Sequence, residues 1–140
     1  MDNITEKYFG EILNRKQGDS IAREGAPSQG FYILISGKVG VYKNKIKIAE
    51  FTEQGTVMGE IGMILNKPRT ASLIAMESTS VLNVKTDIDE LIIKFPGITA
   101  NLMYNLADRL YNTTDNYVTS IKLLEEEFAL LYPGDKNEGI

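Results

Sequence analysis

Residues 58–72 read MGEIGMILNKPRTAS, a segment that combines two glycines, a proline, one acidic residue and two basic residues. Gly59 and Gly62 permit close approach of a ligand to the backbone. The free N–H groups at the start of the short helical turn that follows form a concavity for an anion. Arg69 can donate two parallel bonds to a phosphate, and Glu60 can accept a bond from a sugar hydroxyl. The segment therefore predicts a binding site for a ribose phosphate.

An ordinary ion pair between Glu60 and Arg69 in a solvated loop is the alternative interpretation. Considered one at a time, most glutamates and arginines are solvated or paired. Their occurrence together with both glycines and with Pro68, which fixes the return into the next strand, favours the ligand site. Thr70 adds a hydroxyl beside the arginine.

The composition restricts the chemistry that such a site can perform. The chain has 140 residues, of which 43% are hydrophobic and 24% charged, as in a globular domain. It contains neither cysteine nor histidine, which excludes disulfides, thiolate catalysis, Ser-His-Asp hydrolysis and histidine-ligated metals. We therefore expect no enzymatic activity, no cofactor and no metal. An enzyme that uses carboxylates alone is the alternative that this composition leaves open.

Charge and hydropathy indicate the environment of the chain. The net charge of −4 argues against a nucleic acid or an anionic membrane as the partner. The first residues are polar, and no apolar run approaches the roughly 20 residues of a membrane span. We expect a cytoplasmic protein.

The part of the chain before Pro96 is predicted to be β structure. Short apolar segments separated by Gly, Ser, Asn and Asp are typical of a barrel or a sandwich. Turn residues at 36–38 and 43–45 predict hairpins. Apolar residues at helical spacing predict a short helix over residues 1–14. The candidate strands are residues 31–36, 39–42, 46–51, 73–76 and 81–84.

After Pro96 the apolar spacing becomes helical, and residues 98–131 contain neither glycine nor proline. A heptad seam predicts a parallel coiled coil between two chains, while packing on the β domain of the same chain is the alternative. A second stripe at Leu123 and Leu130 could serve that packing. Residues 132–140 are expected to form a flexible tail. The seam consists of Leu110, Thr114, Tyr117, Ile121, Leu124, Phe128 and Leu131.

Residues 58–72 resemble the phosphate-binding cassette of the cyclic nucleotide-binding domain family. The family pattern is G-E-[LI]-x-x-[LI], a short spacer, and P-R-[AST]-A-[TS], which residues 59–64 and 68–72 match without a gap. Residues 18–25, GDSIAREG, and 31–39, FYILISGKV, are similar to two further family segments. The likeness covers about residues 16–131 and is greatest to the sensor domain of bacterial catabolite activator type regulators.

The resemblance implies a mainly β fold with α: an antiparallel β jelly-roll barrel with a short N-terminal helix and long C-terminal helices. The expected organisation is one domain over residues 1–131. It comprises the N-terminal helix at 1–14, the barrel at 15–90 and the C-terminal helices at 96–131. Regulators of that type continue into a helix-turn-helix domain, whereas this chain has 9 residues after Leu131. We therefore expect no DNA binding by this chain.

The resemblance also implies the role of each site residue. Glu60 would bind the ribose 2′-hydroxyl, and Arg69 with Thr70 would bind the exocyclic phosphate oxygens. Thr113 and Thr114 would contact the adenine amino group, the second of them from the partner subunit. The expected ligand-binding set is Gly59, Glu60, Ile61, Arg69, Thr70, Ala71, Val41, Thr113 and Thr114, with Ile48 near the base.

These implications define a sensor that binds a cyclic nucleotide and signals through a homodimeric helix. Thr113 and Thr114 favour cAMP, whereas a threonine directly after the cassette arginine is also found in many cGMP-selective members. A ligand-free fold that serves dimerisation or protein docking is the remaining alternative. The downstream partner is not specified by any residue pattern.

Overall fold

The computed structural model of the chain describes residues 10–133. The chain divides after Pro96 into two units, the first with the strands and two short helices and the second with the long helix. In order, the elements are β1 (Glu11–Arg15), β2 (Ser20–Ala22), β3 (Phe31–Ser36), β4 (Val39–Lys43), β5 (Ile46–Phe51), β6 (Val57–Met58), α1 (Glu60–Leu65), β7 (Ser72–Ala75), β8 (Thr79–Val84), α2 (Ile88–Lys94) and α3 (Pro96–Leu131).

The strands form two four-stranded antiparallel sheets, with the orders β1-β8-β3-β6 and β2-β7-β4-β5. The core lies between them, because Leu34 and Val81 of the first sheet cluster with Val39 and Leu73 of the second. The expected barrel is therefore replaced by two open sheets. Within the described residues, the edge strands β6 and β5 each pair with one neighbour, so neither sheet closes on itself.

One of the two predicted hairpins is confirmed. Residues 43–45 connect β4 to its partner β5, with Asn44 and Lys45 at φ 49° and 66°, the left-handed values that a tight hairpin turn needs. The hairpin predicted at residues 36–38 is wrong, because β3 and β4 belong to different sheets. This turn instead carries the chain across the core, and the hydroxyl of Thr79 accepts a bond from the Lys38 N–H there at 3.2 Å.

The helix predicted over residues 1–14 is wrong where the structure describes it. Glu11–Arg15 is strand β1, which pairs with β8 in the register Leu13↔Val81. The apolar pair Ile12 and Leu13 is half-buried in a strand that hydrogen bonds to β8, and the pairing with a central strand overrides a short helical pattern. Residues 1–9 lie outside the described part of the chain, as do residues 134–140 of the predicted tail.

The helices have recognisable ends. Asp87 caps α2, since its carboxylate accepts a bond from the Glu90 N–H at 2.8 Å, and Lys94 lies in the last turn. Pro96 opens α3, as suits the first position of a helix. A single helix of 36 residues takes the place of the plural helices expected at 96–131.

Leu34→Ala tests the core between the sheets. Leu34 is 1% exposed, so its truncation should lower the free energy of unfolding by about 2–5 kcal/mol. Ile46→Ala is the matched control at a β5 position that is 66% exposed, and it should change stability by less than about 0.5 kcal/mol. Urea unfolding of both variants measures the difference, and equal losses would contradict the assigned core.

Candidate functional site

Gly59 turns the chain from β6 into α1, with φ 76° and ψ 13°. The pairing of Tyr32 with Met58 places this turn beside the tyrosine ring. A Cβ at position 59 would lie 2.8 Å from Nη1 of Arg69 and 3.3 Å from Cδ2 of Tyr32. Both the left-handed conformation and the lack of space therefore require glycine.

Arg69 is the buried cation of the site, with 8% of its surface exposed. Its Nη1 donates to the carbonyl oxygens of Gly30 at 2.9 Å and Gly59 at 2.7 Å. The guanidinium carbon lies 5.0 Å from the centroid of the Tyr32 ring, a cation–π distance. Among the described residues, no carboxylate lies within salt-bridge distance of Arg69. The ion pair considered as an alternative is therefore not formed there.

Glu60 is the first residue of α1 and is 2% exposed. A carboxylate at this position faces the positive end of the short helix. It follows Gly59 directly, and the carbonyl of Gly59 is bonded to Arg69. The structure therefore brings the predicted acceptor and the predicted cation to the same turn.

Gly62 has a different role from the one expected. It is buried in α1, and a Cβ there would lie 2.5 Å from Oγ of Ser28 and 2.7 Å from the carbonyl oxygen of Lys67. The missing side chain serves packing inside the loop rather than the approach of a ligand. The C-terminal end of α1 is closed by Asn66 in the left-handed conformation.

The backbone of the 24–26 segment supports the return strand of the cassette. Gly25 N–H donates to the carbonyl of Arg69, and Arg69 N–H donates to the carbonyl of Ala26, both at 2.8 Å. Glu24 N–H donates to Oγ of Ser72 at 2.9 Å. These bonds fix the backbone around the buried guanidinium.

A charged contact joins the same region to the β4–β5 turn. Nζ of Lys43 donates to the carbonyl of Thr70 at 2.7 Å and lies 3.3 Å from Oε2 of Glu24. Oε1 of Glu24 accepts a bond from the Asn44 N–H at 3.0 Å. That backbone bond, followed by the Lys43 ammonium, holds the pKa of the Glu24 carboxyl below its ordinary value. Sequence reasoning missed Lys43, Glu24 and Tyr32, because no motif marks a contact between distant segments.

The other predicted residues differ in burial and in the element that carries them. Thr70 is exposed and Ala71 half-buried on the return into β7, while Ile61 is 42% exposed in α1. Val41 is half-buried in β4 opposite Leu73 of β7, so it belongs to the sheet that the cassette enters.

Three of the residues predicted to contact the base are exposed in the structure. Ile48 is 59% exposed on β5. Thr113 and Thr114 are exposed on α3, in the second unit of the chain, and their contact with a base stays a prediction.

Arg69 also borders a cavity of about 350 Å³ in the first unit. Its walls include Tyr32, Arg23 and Lys85. Glu60 is not among the described residues that line this cavity.

Gly59→Ala tests the contact between the turn and Arg69. Gly55 is the matched control, because it has φ 90° but nothing within 4 Å of a Cβ. A left-handed alanine costs about 1–2 kcal/mol at either position. Gly59→Ala should lose at least about 1 kcal/mol more in urea unfolding, since the Cβ displaces a bonded guanidinium. Equal losses would show that Arg69 does not depend on this glycine.

Comparison with known proteins identifies a family whose model matches this chain. The model of the cyclic nucleotide-binding domain matches residues 12–92, which include both sheets and the cassette. The cGMP-dependent protein kinase of Plasmodium berghei is 37% identical over 73 residues, 52% of this chain and 8% of the kinase. The cAMP-dependent protein kinase regulatory subunit of Aspergillus niger is 32% identical over 78 residues, 55% of this chain and 19% of that protein.

Among solved structures, the catabolite activator protein of Thermus thermophilus is similar with a TM-score of 0.70 and 27% identity, over 88% of this chain and 58% of that one. The chain thus spans a small part of the curated relatives named above and somewhat more than half of the activator. Within residues 10–133, no helix is long and apolar enough to cross a membrane. The family match over more than half of its length shows that this chain belongs to the cyclic nucleotide-binding domain family.

Proposed function

We propose that the chain is a non-catalytic sensor that binds cAMP at the cassette and signals through α3 paired with a second copy. The observation that carries the proposal is the buried Arg69, which is bonded to two carbonyls and has no carboxylate partner among the described residues. A buried cation without a counter-ion favours an anionic ligand. The cytoplasmic location expected from the sequence remains part of this proposal.

The donors of Arg69 suit a phosphate. Both of its hydrogen bonds use Nη1, and within the described residues the Nε and Nη2 donors make none. That edge can give two parallel bonds to the exocyclic oxygens of a cyclic phosphate. The adjacent Glu60 would accept a bond from the ribose 2′-hydroxyl, and the exposed hydroxyl of Thr70 would add a further donor.

The preference for adenine is the finer part of the proposal. Thr113 and Thr114 are the residues that would contact its amino group, whereas Thr70 beside the arginine favours cGMP as the second candidate. The kinases similar to this chain include one named for cGMP and one named for cAMP, so they support either nucleotide.

Arg69→Ala tests the proposal directly. Parent protein should bind cAMP saturably, with one site per chain and more tightly than cGMP, in titration calorimetry. Arg69→Ala should weaken binding on the order of 30-fold to several thousandfold, because the phosphate loses its charged partner. Arg15→Ala, which removes an arginine from β1, is the matched control and should bind like the parent.

Thermal melting of each variant shows whether it is folded, and Arg69→Lys, which keeps the charge without the planar edge, should have intermediate affinity. No binding of either nucleotide at millimolar concentration would contradict the sensor and favour a ligand-free docking module.

The signalling part of the proposal rests on the exposed seam of α3. Tyr117, Leu124 and Leu131 are 67%, 61% and 74% exposed in the single chain. Together with the other seam residues they form an apolar stripe that soluble proteins rarely leave uncovered. Parallel pairing of two copies would bury it, with Thr114 as a polar layer that sets the register.

Leu124→Glu tests the pairing, because it places two like charges at the coiled-coil axis. We expect sedimentation to show a dimeric parent, a monomeric variant, and weaker binding of cAMP by the monomer. Leu123→Glu is the matched control, since Leu123 is 57% exposed but lies off the seam. A monomeric parent with full affinity for cAMP would contradict the dimer.

A further inference from the structure

Lys43 connects the end of β4 to the cassette. Its Nζ donates to the carbonyl of Thr70 at 2.7 Å, across 27 residues of sequence. Thr70 follows Arg69 directly, so this bond fixes the Thr70–Ala71 peptide, one residue beyond the buried guanidinium. Since the side chain of Lys43 is 48% exposed, the contact lies at the surface and does not belong to the core.

Glu24 orients that lysine. One carboxylate oxygen lies 3.3 Å from Nζ, and the other accepts a bond from the Asn44 N–H at 3.0 Å. The backbone N–H of Glu24 donates to Oγ of Ser72, two residues beyond Thr70. The side chain of Glu24 therefore contacts the β4–β5 hairpin, and its backbone N–H is bonded to Ser72 at the end of the cassette.

The two contacts complete a support around residues 69–72. The backbone N–H and C=O of Arg69 are bonded to Ala26 and Gly25, as described above. The carbonyl of Thr70 is bonded to Lys43, and the hydroxyl of Ser72 is bonded to Glu24. An exposed ion pair by itself contributes little to the free energy of unfolding. We therefore expect the Lys43–Glu24 pair to affect the backbone geometry of residues 69–72 more than the stability of the fold.

We propose that Lys43, oriented by Glu24, is a positioning residue that fixes Thr70 and thereby sets the affinity of the cassette for a cyclic nucleotide. The inference rests on the proposed function. Side chains that bind a ligand give full affinity only when neighbouring contacts hold them within a fraction of an ångström of the geometry that binding requires. Release of the Thr70 carbonyl would let the Thr70–Ala71 peptide rotate, and the Thr70 hydroxyl would lose its alignment beside the guanidinium.

The experiment compares Lys43→Met with Lys45→Met. Both substitutions remove a lysine charge from the same hairpin. Within the described residues, however, the side chain of Lys45 makes no hydrogen bond or ion pair. We expect Lys43→Met to weaken cAMP binding by about three- to tenfold in calorimetry and Lys45→Met to leave it unchanged. Lys43→Arg, which retains a donor, should restore binding to within about twofold of the parent.

A second readout needs no ligand. The ¹³C chemical shift of the Thr70 carbonyl should change in Lys43→Met and return towards the parent value in Lys43→Arg. The melting temperatures of both variants should stay equal to that of the parent. Equal cAMP affinities of Lys43→Met and Lys45→Met would overturn the inference. So would a Thr70 carbonyl shift that does not respond to Lys43. If the parent binds neither nucleotide, the proposed function fails, and the part of the inference that concerns affinity fails with it.

Discussion

Burial of the Arg69 guanidinium imposes a geometry on the segments around it. A charge removed from water is tolerated when it makes hydrogen bonds inside the protein. Nη1 of Arg69 donates to the carbonyls of Gly30 and Gly59. Gly30 precedes β3 and Gly59 precedes α1, so one nitrogen ties the start of a core strand to the cassette turn. The ring of Tyr32 covers one face of the cation. Loss of any of these partners would leave the buried charge less well compensated.

The cassette depends on this cation through its backbone as well. Residues 24–26 bond to both backbone polar groups of Arg69, and Lys43 bonds to the next carbonyl. The guanidinium itself is held by its bonds to the carbonyls of Gly30 and Gly59, although Thr70 beside it is exposed to solvent. A cation already held by hydrogen bonds next to an exposed hydroxyl suits an anionic ligand, because less side-chain freedom is lost when the ligand binds.

Sequence patterns were sufficient where local rules dominate. The strands at 31–36 and 46–51 were predicted with the bounds that the structure has, because apolar β-branched residues lie between clear turn signals. The long C-terminal helix was predicted because residues 98–131 contain neither glycine nor proline and residues 110–131 keep a heptad spacing. The site at residues 58–72 was predicted from its residue types and spacing and from the family resemblance, and the structure brings Gly59 and Arg69 into contact.

Tertiary contacts decided the rest. The two residues of β6 are too few to carry a pattern, and β1 is a strand because β8 provides a partner. The turn at 36–38 has hairpin residues, yet strand pairing sends β3 and β4 to different sheets, which no local pattern reveals. Gly62 was expected to face a ligand, whereas it packs against Ser28.

A crystal structure of the chain with cAMP is the most direct test of the central claim that Arg69 is the phosphate receptor. We expect a phosphate oxygen about 2.7–2.9 Å from a guanidinium nitrogen and the ribose 2′-hydroxyl within hydrogen-bond distance of Glu60. A nucleotide bound elsewhere, with Arg69 still bonded to the carbonyls of Gly30 and Gly59 alone, would contradict it.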